Sequence, residues 1–151
     1  MTVDVQLIKQ LRERTSAGVA DVREALEESG NDMKKAEEIL RERGIARAAK
    51  KGDRATNAGL IESYVHQGRV GVLVEIMCET DFVARTDEFK ALAHEVAMQV
   101  ASMNPKNVQV LLKQEYIRDP SKTVDDLIKA AIAKLGENIT IDRISRFELG
   151  K

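Results

Sequence analysis

The single thiol, Cys78, and the two imidazoles, His66 and His94, are the residues of this chain whose types could do covalent or metal chemistry. A thiol beside a base is a nucleophile, and the three together would form a crude metal site. Three residues fall short of the four ligands of a structural zinc site, and no local signature of a cysteine nucleophile surrounds Cys78. Cys78 is therefore expected to be a small buried hydrophobe at the end of a strand, with no metal ligand and no catalytic residue in the chain. No glycine-rich phosphate loop of Walker or dinucleotide spacing occurs, so neither a cofactor nor direct nucleotide binding is expected. Asn138-Ile139-Thr140 matches the glycosylation acceptor pattern, a match common by chance and of no use to a cytoplasmic chain.

The segment Cys78-Glu79-Thr80-Asp81-Phe82-Val83-Ala84-Arg85 offers a different chemistry, that of recognition. It leaves a run of strand character, crosses a turn and opens a helix near Thr86. Its centre is an acid followed by an aromatic, and two readings are open. In one, Asp81 caps the turn and Phe82 folds back into the core, which the residue types alone favour. In the other, the turn presents Phe82 to a partner, where a buried aromatic anchor is worth roughly 2 kcal/mol or more.

These residues need elements to hold them. Apolar residues recur at helical spacing in three blocks: Leu7, Ile8 and Leu11; Val19, Val22, Ala25 and Leu26; Met33, Ala36, Ile39 and Leu40. Thr15-Ser16-Ala17-Gly18 supplies capping hydroxyls and a flexible glycine, Gly30-Asn31-Asp32 ends one helix and caps the next, and Gly44 is expected to close the third. Helices of about 12 residues are marginal alone, so the three must bury their stripes against one another as a bundle over residues 1–45. Residues 46–58 continue a basic stretch, begun at Arg41, that reads as a solvated linker, helical at first, and residues 59–151 as a second domain. There Ile61, Ser63 and Val65, then Val70, Val72, Val74 and Ile76, alternate around Gln67-Gly68, which predicts a hairpin. Helical spacing returns at Phe89 to Met103 and at Val124 to Leu135. A final extended run from Asn138 completes an antiparallel sheet, its alternation slipping after Ile141 as at a bulge. The segment 104–122 carries no assignable pattern.

Composition sets the outer limits. The chain has 151 residues, 24 Lys and Arg against 25 Asp and Glu, and 43% hydrophobic residues, which is the make-up of a folded, soluble protein, and the helix and strand patterns above make its expected fold class α+β. A formal charge of −1 argues against general nucleic-acid binding, and the 3% aromatic content leaves no platform for stacking bases. One Cys permits no intramolecular disulfide, and neither a signal peptide nor a spanning apolar run is visible, so a cytoplasmic location and no membrane contact are expected.

Cys78-Glu79-Thr80-Asp81-Phe82-Val83-Ala84 resembles one signature of the translation elongation factor Ts family, and Leu11-Arg12-Glu13-Arg14-Thr15-Ser16-Ala17-Gly18-Val19-Ala20-Asp21-Val22 resembles the other. The runs from Ile132 to Ile139 and from Arg146 to Gly150 are similar too. The resemblance implies a ubiquitin-associated-like three-helix bundle, followed by a single half-core of three-stranded antiparallel sheet packed with helices. It implies a guanine nucleotide exchange factor for elongation factor Tu, a binding protein and not an enzyme. By position, Thr80, Asp81, Phe82 and Val83 would dislodge the magnesium ion of the GTPase, with Phe82 as a wedge, and Arg12, Val19 and Ala20 would form the bundle's contact. Longer members carry two apolar sulfur-containing residues where this chain has Val19 and Ala20, which bury less area. Longer members also duplicate the core and insert a helical hairpin after the position of Pro105, so the resemblance implies that this short chain pairs as a homodimer through its sheets. The alternatives from other classes are a small protein- or RNA-binding adaptor steered by the basic stretch, and an enzyme using Cys78.

Overall fold

The computed structural model describes residues 2–15 and 17–151. Its first three helices are α1 (Val5–Thr15), α2 (Val19–Ser29) and α3 (Met33–Lys51). Their stripes close on one cluster in which Leu11, Val22, Ala25, Leu26 and Ala36 are fully buried. Each buried Leu or Val contributes about 1.5–3 kcal/mol, which offsets the marginal stability of helices this short.

The breaks follow the chain's polar punctuation only in part. Gly30 takes the left-handed conformation after α2, and Asp32 caps α3 by accepting from the Lys35 amide. The α2 cap is Gly18, with no side-chain bond; Ser16, one of the expected capping hydroxyls, lies outside the described residues. The Thr15 hydroxyl donates back to the Leu11 carbonyl. Gly44 does not close the third helix. It lies inside α3, facing the late helix α7 (Val124–Leu135), and a Cβ there would stand 3.2 Å from the Ala133 Cβ. Glycine at this position permits close helix packing, and α3 runs on to Lys51.

The second cluster is built on a three-stranded antiparallel sheet, β1 (Ala58–His66), β2 (Val70–Cys78) and β5 (Ile139–Glu148), in the order β1-β2-β5. Gln67 and Gly68 both have positive φ, and Arg69 N–H donates to the His66 carbonyl, so the β1–β2 connection is the tight primed turn expected of a hairpin. On β2, Val72, Val74, Ile76 and Cys78 face inward. On β5 the register skips Asp142, because Glu75 opposes Arg143 while Ile76 opposes Ile141. That bulge keeps Ile139, Ile141 and Ile144 on one face, which is why the apolar alternation slips in the sequence.

Helix α5 (Asp87–Met103) covers the inner face of the sheet with Phe89, Ala93, Val96, Ala97 and Val100 fully buried. The segment 104–122 folds as α6 (Val108–Lys113) and the short strands β3 (Glu115–Tyr116) and β4 (Asp119–Thr123). It is fixed by one buried amide: Gln99 donates from Nε2 to the Gln114 side chain and the Glu115 carbonyl, and accepts from the Ile117 amide. A capping box of Thr123 and Asp126 then starts α7. No helix of the described residues is long and apolar enough to cross a membrane.

Candidate functional site

Strand β2 ends at Cys78, and four residues on, the chain carries an aromatic ring in solvent. Cys78 is fully buried, as expected of a small hydrophobe at a strand end. Burial pushes its thiol above the usual range, the carboxylate of Glu137 adds to that, and a backbone hydrogen bond from Thr80 opposes it only in part; the thiol itself donates to the Thr80 carbonyl. A protonated, enclosed thiol is a poor nucleophile. Among the described residues no group of three or more His, Cys, Asp or Glu is placed to hold a metal ion. His66 is engaged by Tyr64, whose hydroxyl lies 2.8 Å from Nδ1, and the Tyr64 ring also packs beside His94.

Residues Asp81–Ala84 form a single helical turn, α4. The turn is capped by Thr80, whose hydroxyl accepts from the Val83 amide; Asp81, expected in one reading to be the cap, instead pairs with Arg85 at 2.6 Å. Thr86 closes the other end, donating its hydroxyl to the Val83 carbonyl and capping α5 through the Phe89 amide. Val83 and Ala84 take the two inward places of the turn and are buried. Phe82 is left pointing out, 81% exposed, so the reading that folds it into the core is overturned. A large apolar side chain held in water by a capped, core-anchored turn is costly to display, and its geometry fits insertion into another molecule. Of the four expected contact residues, Asp81 and Phe82 project; Thr80 holds the turn together and Val83 anchors it.

The second expected group sits on the other cluster. Arg12 on α1, and Val19 and Ala20 on the first turn of α2, are all exposed, Val19 at 51%. The structure displays these two surfaces separately: the four-residue turn on the sheet's end, the trio on the bundle.

Two cations of the basic stretch, Arg43 and Arg47, are paired where it lies along the bundle. Arg47 makes a two-pronged pair with Asp21, at 2.8 and 3.0 Å, and holds that carboxyl below the usual range. Arg43 bonds to Glu24 and Glu28. Cations engaged this way brace α3 against α2 and present little net charge to a phosphate backbone.

What the residue pattern missed is the support beneath Phe82. The Glu137 carboxylate, just past α7, accepts from the amides of Glu79 (3.1 Å) and Thr80 (2.9 Å) and from the Thr80 hydroxyl (2.7 Å). The partners are 57 and 58 positions apart in the chain, and no local spacing signals such a pairing.

The profile of the family described as "Elongation factor TS" matches residues 79–151. Over nearly its whole length the chain is similar to three proteins named elongation factor Ts. It is 45% identical, over an alignment of 195 positions, to that of Thermoanaerobacter sp. (strain X514), covering 99% of this chain and 96% of that protein. It is 43% identical, over an alignment of 197 positions, to that of Coprothermobacter proteolyticus, covering all of both, and 45% identical, over an alignment of 195 positions, to that of Thermotoga neapolitana, covering 100% of this chain and 99% of the relative.

Proposed function

The chain belongs to the elongation factor Ts family, and from that premise we propose that it is the guanine nucleotide exchange factor of elongation factor Tu, acting by binding and without bond chemistry of its own. The observation that carries the proposal is the exposed Phe82 on its capped turn, inside the run that matches the family signature. Binding energy from two surfaces is spent on one distortion. The bundle, residues 1–45 with Arg12, Val19 and Ala20, grips the GTPase, and the turn Thr80–Val83 drives Phe82 between the side chains that support its magnesium ion. Magnesium demands near-ideal octahedral geometry, so a small shift of its supporting groups weakens the phosphates it bridges.

Linkage sets the size and the direction of the effect. If the factor and GDP with magnesium favour different conformations of the GTPase, each lowers the other's affinity by the same factor, about 5- to 150-fold for a coupling of 1 to 3 kcal/mol. An incoming nucleotide releases the factor by the same coupling. Neither step needs a general base, a cofactor or contact between the factor and the nucleotide.

The factor works in the cytoplasm as a homodimer, the 59–151 domain pairing through the outer face of its sheet and the 46–58 stretch joining that domain to the bundle. The support for pairing is an apolar outer face: Ile61, Val65, Leu73 and Phe147 all point away from α5 and are more than half exposed, Phe147 at 76%. A patch of this kind is uncommon on a monomer, and a two-fold contact between copies would cover it. The engaged state of Arg43 and Arg47 weighs against the RNA-steering alternative.

Stopped-flow release of a fluorescent GDP derivative from elongation factor Tu tests the proposal. Micromolar factor is expected to accelerate release; unchanged release at saturating factor sinks it.

A further inference from the structure

We propose that Glu137 is a positioning residue for nucleotide exchange, holding the wedge turn in its working geometry without touching the partner. The inference rests on the exchange reading above and adds a residue to it.

The turn that carries Phe82 is four residues long, too short to be stable as a helix on its own. Its geometry must come from its two ends. The downstream end is secured by buried Val83 and Ala84 and by Thr86. The upstream end, Glu79-Thr80, leaves the sheet with two amides and a hydroxyl that need partners, and one carboxylate takes all three: Oε1 of Glu137 accepts from both amides and Oε2 from the Thr80 hydroxyl. The Thr80 hydroxyl is thereby fixed in rotation, with its proton directed at Glu137 and a lone pair at the Val83 amide 3.3 Å away. The N-cap of α4 is thus set by a residue from outside the turn.

The clamp is reciprocal. Glu79 Oε2 accepts from the Asn138 amide at 2.6 Å and lies 3.7 Å from the Arg54 guanidinium. Asn138, itself buried, donates through Nδ2 to the carbonyls of Gly52 and Arg54, so the same knot reaches the chain just beyond α3. Glu137 reaches the site because Gly136 takes a left-handed conformation, φ 79°, at the end of α7. None of these groups is in the apolar core, and among the described residues the Glu137 carboxylate bonds only to the root of the turn. Its removal leaves three donors unpaired and Phe82 free to swing on its downstream anchor.

A misplaced wedge and a lost grip differ kinetically. If Glu137 only stabilised the fold, its variants would contain less active protein: the half-saturating factor concentration would rise while the limiting release rate stayed the same. A positioning role predicts the reverse, because the bundle that supplies the grip lies on another cluster.

Fluorescent GDP release from elongation factor Tu is to be followed across factor concentrations with the native chain, Glu137→Gln and Glu137→Ala. Glu137→Gln preserves size and keeps the comparison available if Glu137→Ala folds poorly, with thermal unfolding run on both. The limiting rate is expected to fall by on the order of 10- to 100-fold, the scale on which a displacement of about 1 Å acts on a positioned group, with the half-saturating concentration changed less than about twofold. An unchanged limiting rate overturns the inference. Amide hydrogen exchange of Glu79 and Thr80 in the free protein separates the two readings: protection lost in the variants together with a slow limiting rate supports the clamp, and protection retained in the variants overturns it. Failure of the native chain to accelerate release sinks the exchange reading, and with it the role of Glu137.

Discussion

Phe82 owes its position to its neighbours. Val83 and Ala84 occupy the inward side of a turn only four residues long, and the ring is what remains outside. A turn that short has no periodicity to read, so the residue types favoured a buried Phe82, wrongly, and only the resemblance favoured display. Phe82→Ala is expected to slow the limiting rate of GDP release by ~30-fold, the equivalent of an anchor worth about 2 kcal/mol. An exposed side chain contributes within about 0.5 kcal/mol of folding stability, so the unfolding temperature should move by less than about 2 °C. A drop of several degrees would mean that the ring packs on its own subunit. Tyr116 is the opposite case. It is buried, its hydroxyl donates to Glu95 at 2.5 Å, and burial followed by that bond pushes its ionisation up to about 12. A raised folded value means that the stability it lends is intact below the ordinary tyrosine range, about 10, and is lost as the pH climbs through about 12. Ultraviolet titration of tyrosinate is expected to show one residue ionising near the upper value, in step with loss of the fold. Ionisation of Tyr116 near the ordinary value would refute that.

At the scale of elements, most of the architecture was legible where apolar spacing was long. The bundle stripes, the hairpin with its Gln67-Gly68 turn, α5, α7 and the slip in β5 could all be read, since each is a local pattern made by one buried face. The segment 104–122 could not. Its pieces are six, two and five residues long, and it is ordered by the Gln99 amide on a different helix. Gly44 misled for a related reason. Glycine after an apolar stripe looks like a helix stop, but its role here is set by Ala133, 89 positions further on, as the close approach of α3 to α7 shows. Gly44→Leu is accordingly expected to cost about 1–3 kcal/mol in urea unfolding, as overpacking does. Gly44→Ala should cost less, because alanine's advantage of about 1 kcal/mol within a helix partly cancels the crowding. Equal stability of the leucine variant and the native chain would show that α3 and α7 do not meet there.

For the whole molecule, the proposed pairing rests on the outer face of the sheet. Ile61, Val65, Leu73 and Phe147 form an apolar patch with an ion pair at one end, Arg143 bonded to Glu75 at 2.8 Å, so a copy placed by two-fold symmetry would cover the patch and could set the paired charges against its own. Sedimentation of Leu73→Lys and Phe147→Glu is expected to give monomers at concentrations where the native chain is a dimer. A native chain that sediments as a monomer would remove the pairing. The long third helix has a consequence of its own. It passes from the cluster bearing Val19 into the one bearing Phe82 as 19 unbroken residues, a rod of about 28 Å. In such a rod, residue count fixes an angle as well as a distance. One amino acid added or removed between Ile45 and Lys51 would swing the amino-terminal surface by about 100° around the axis while shifting it only about 1.5 Å, so a single-codon insertion there should disable exchange with both proposed contact faces chemically untouched.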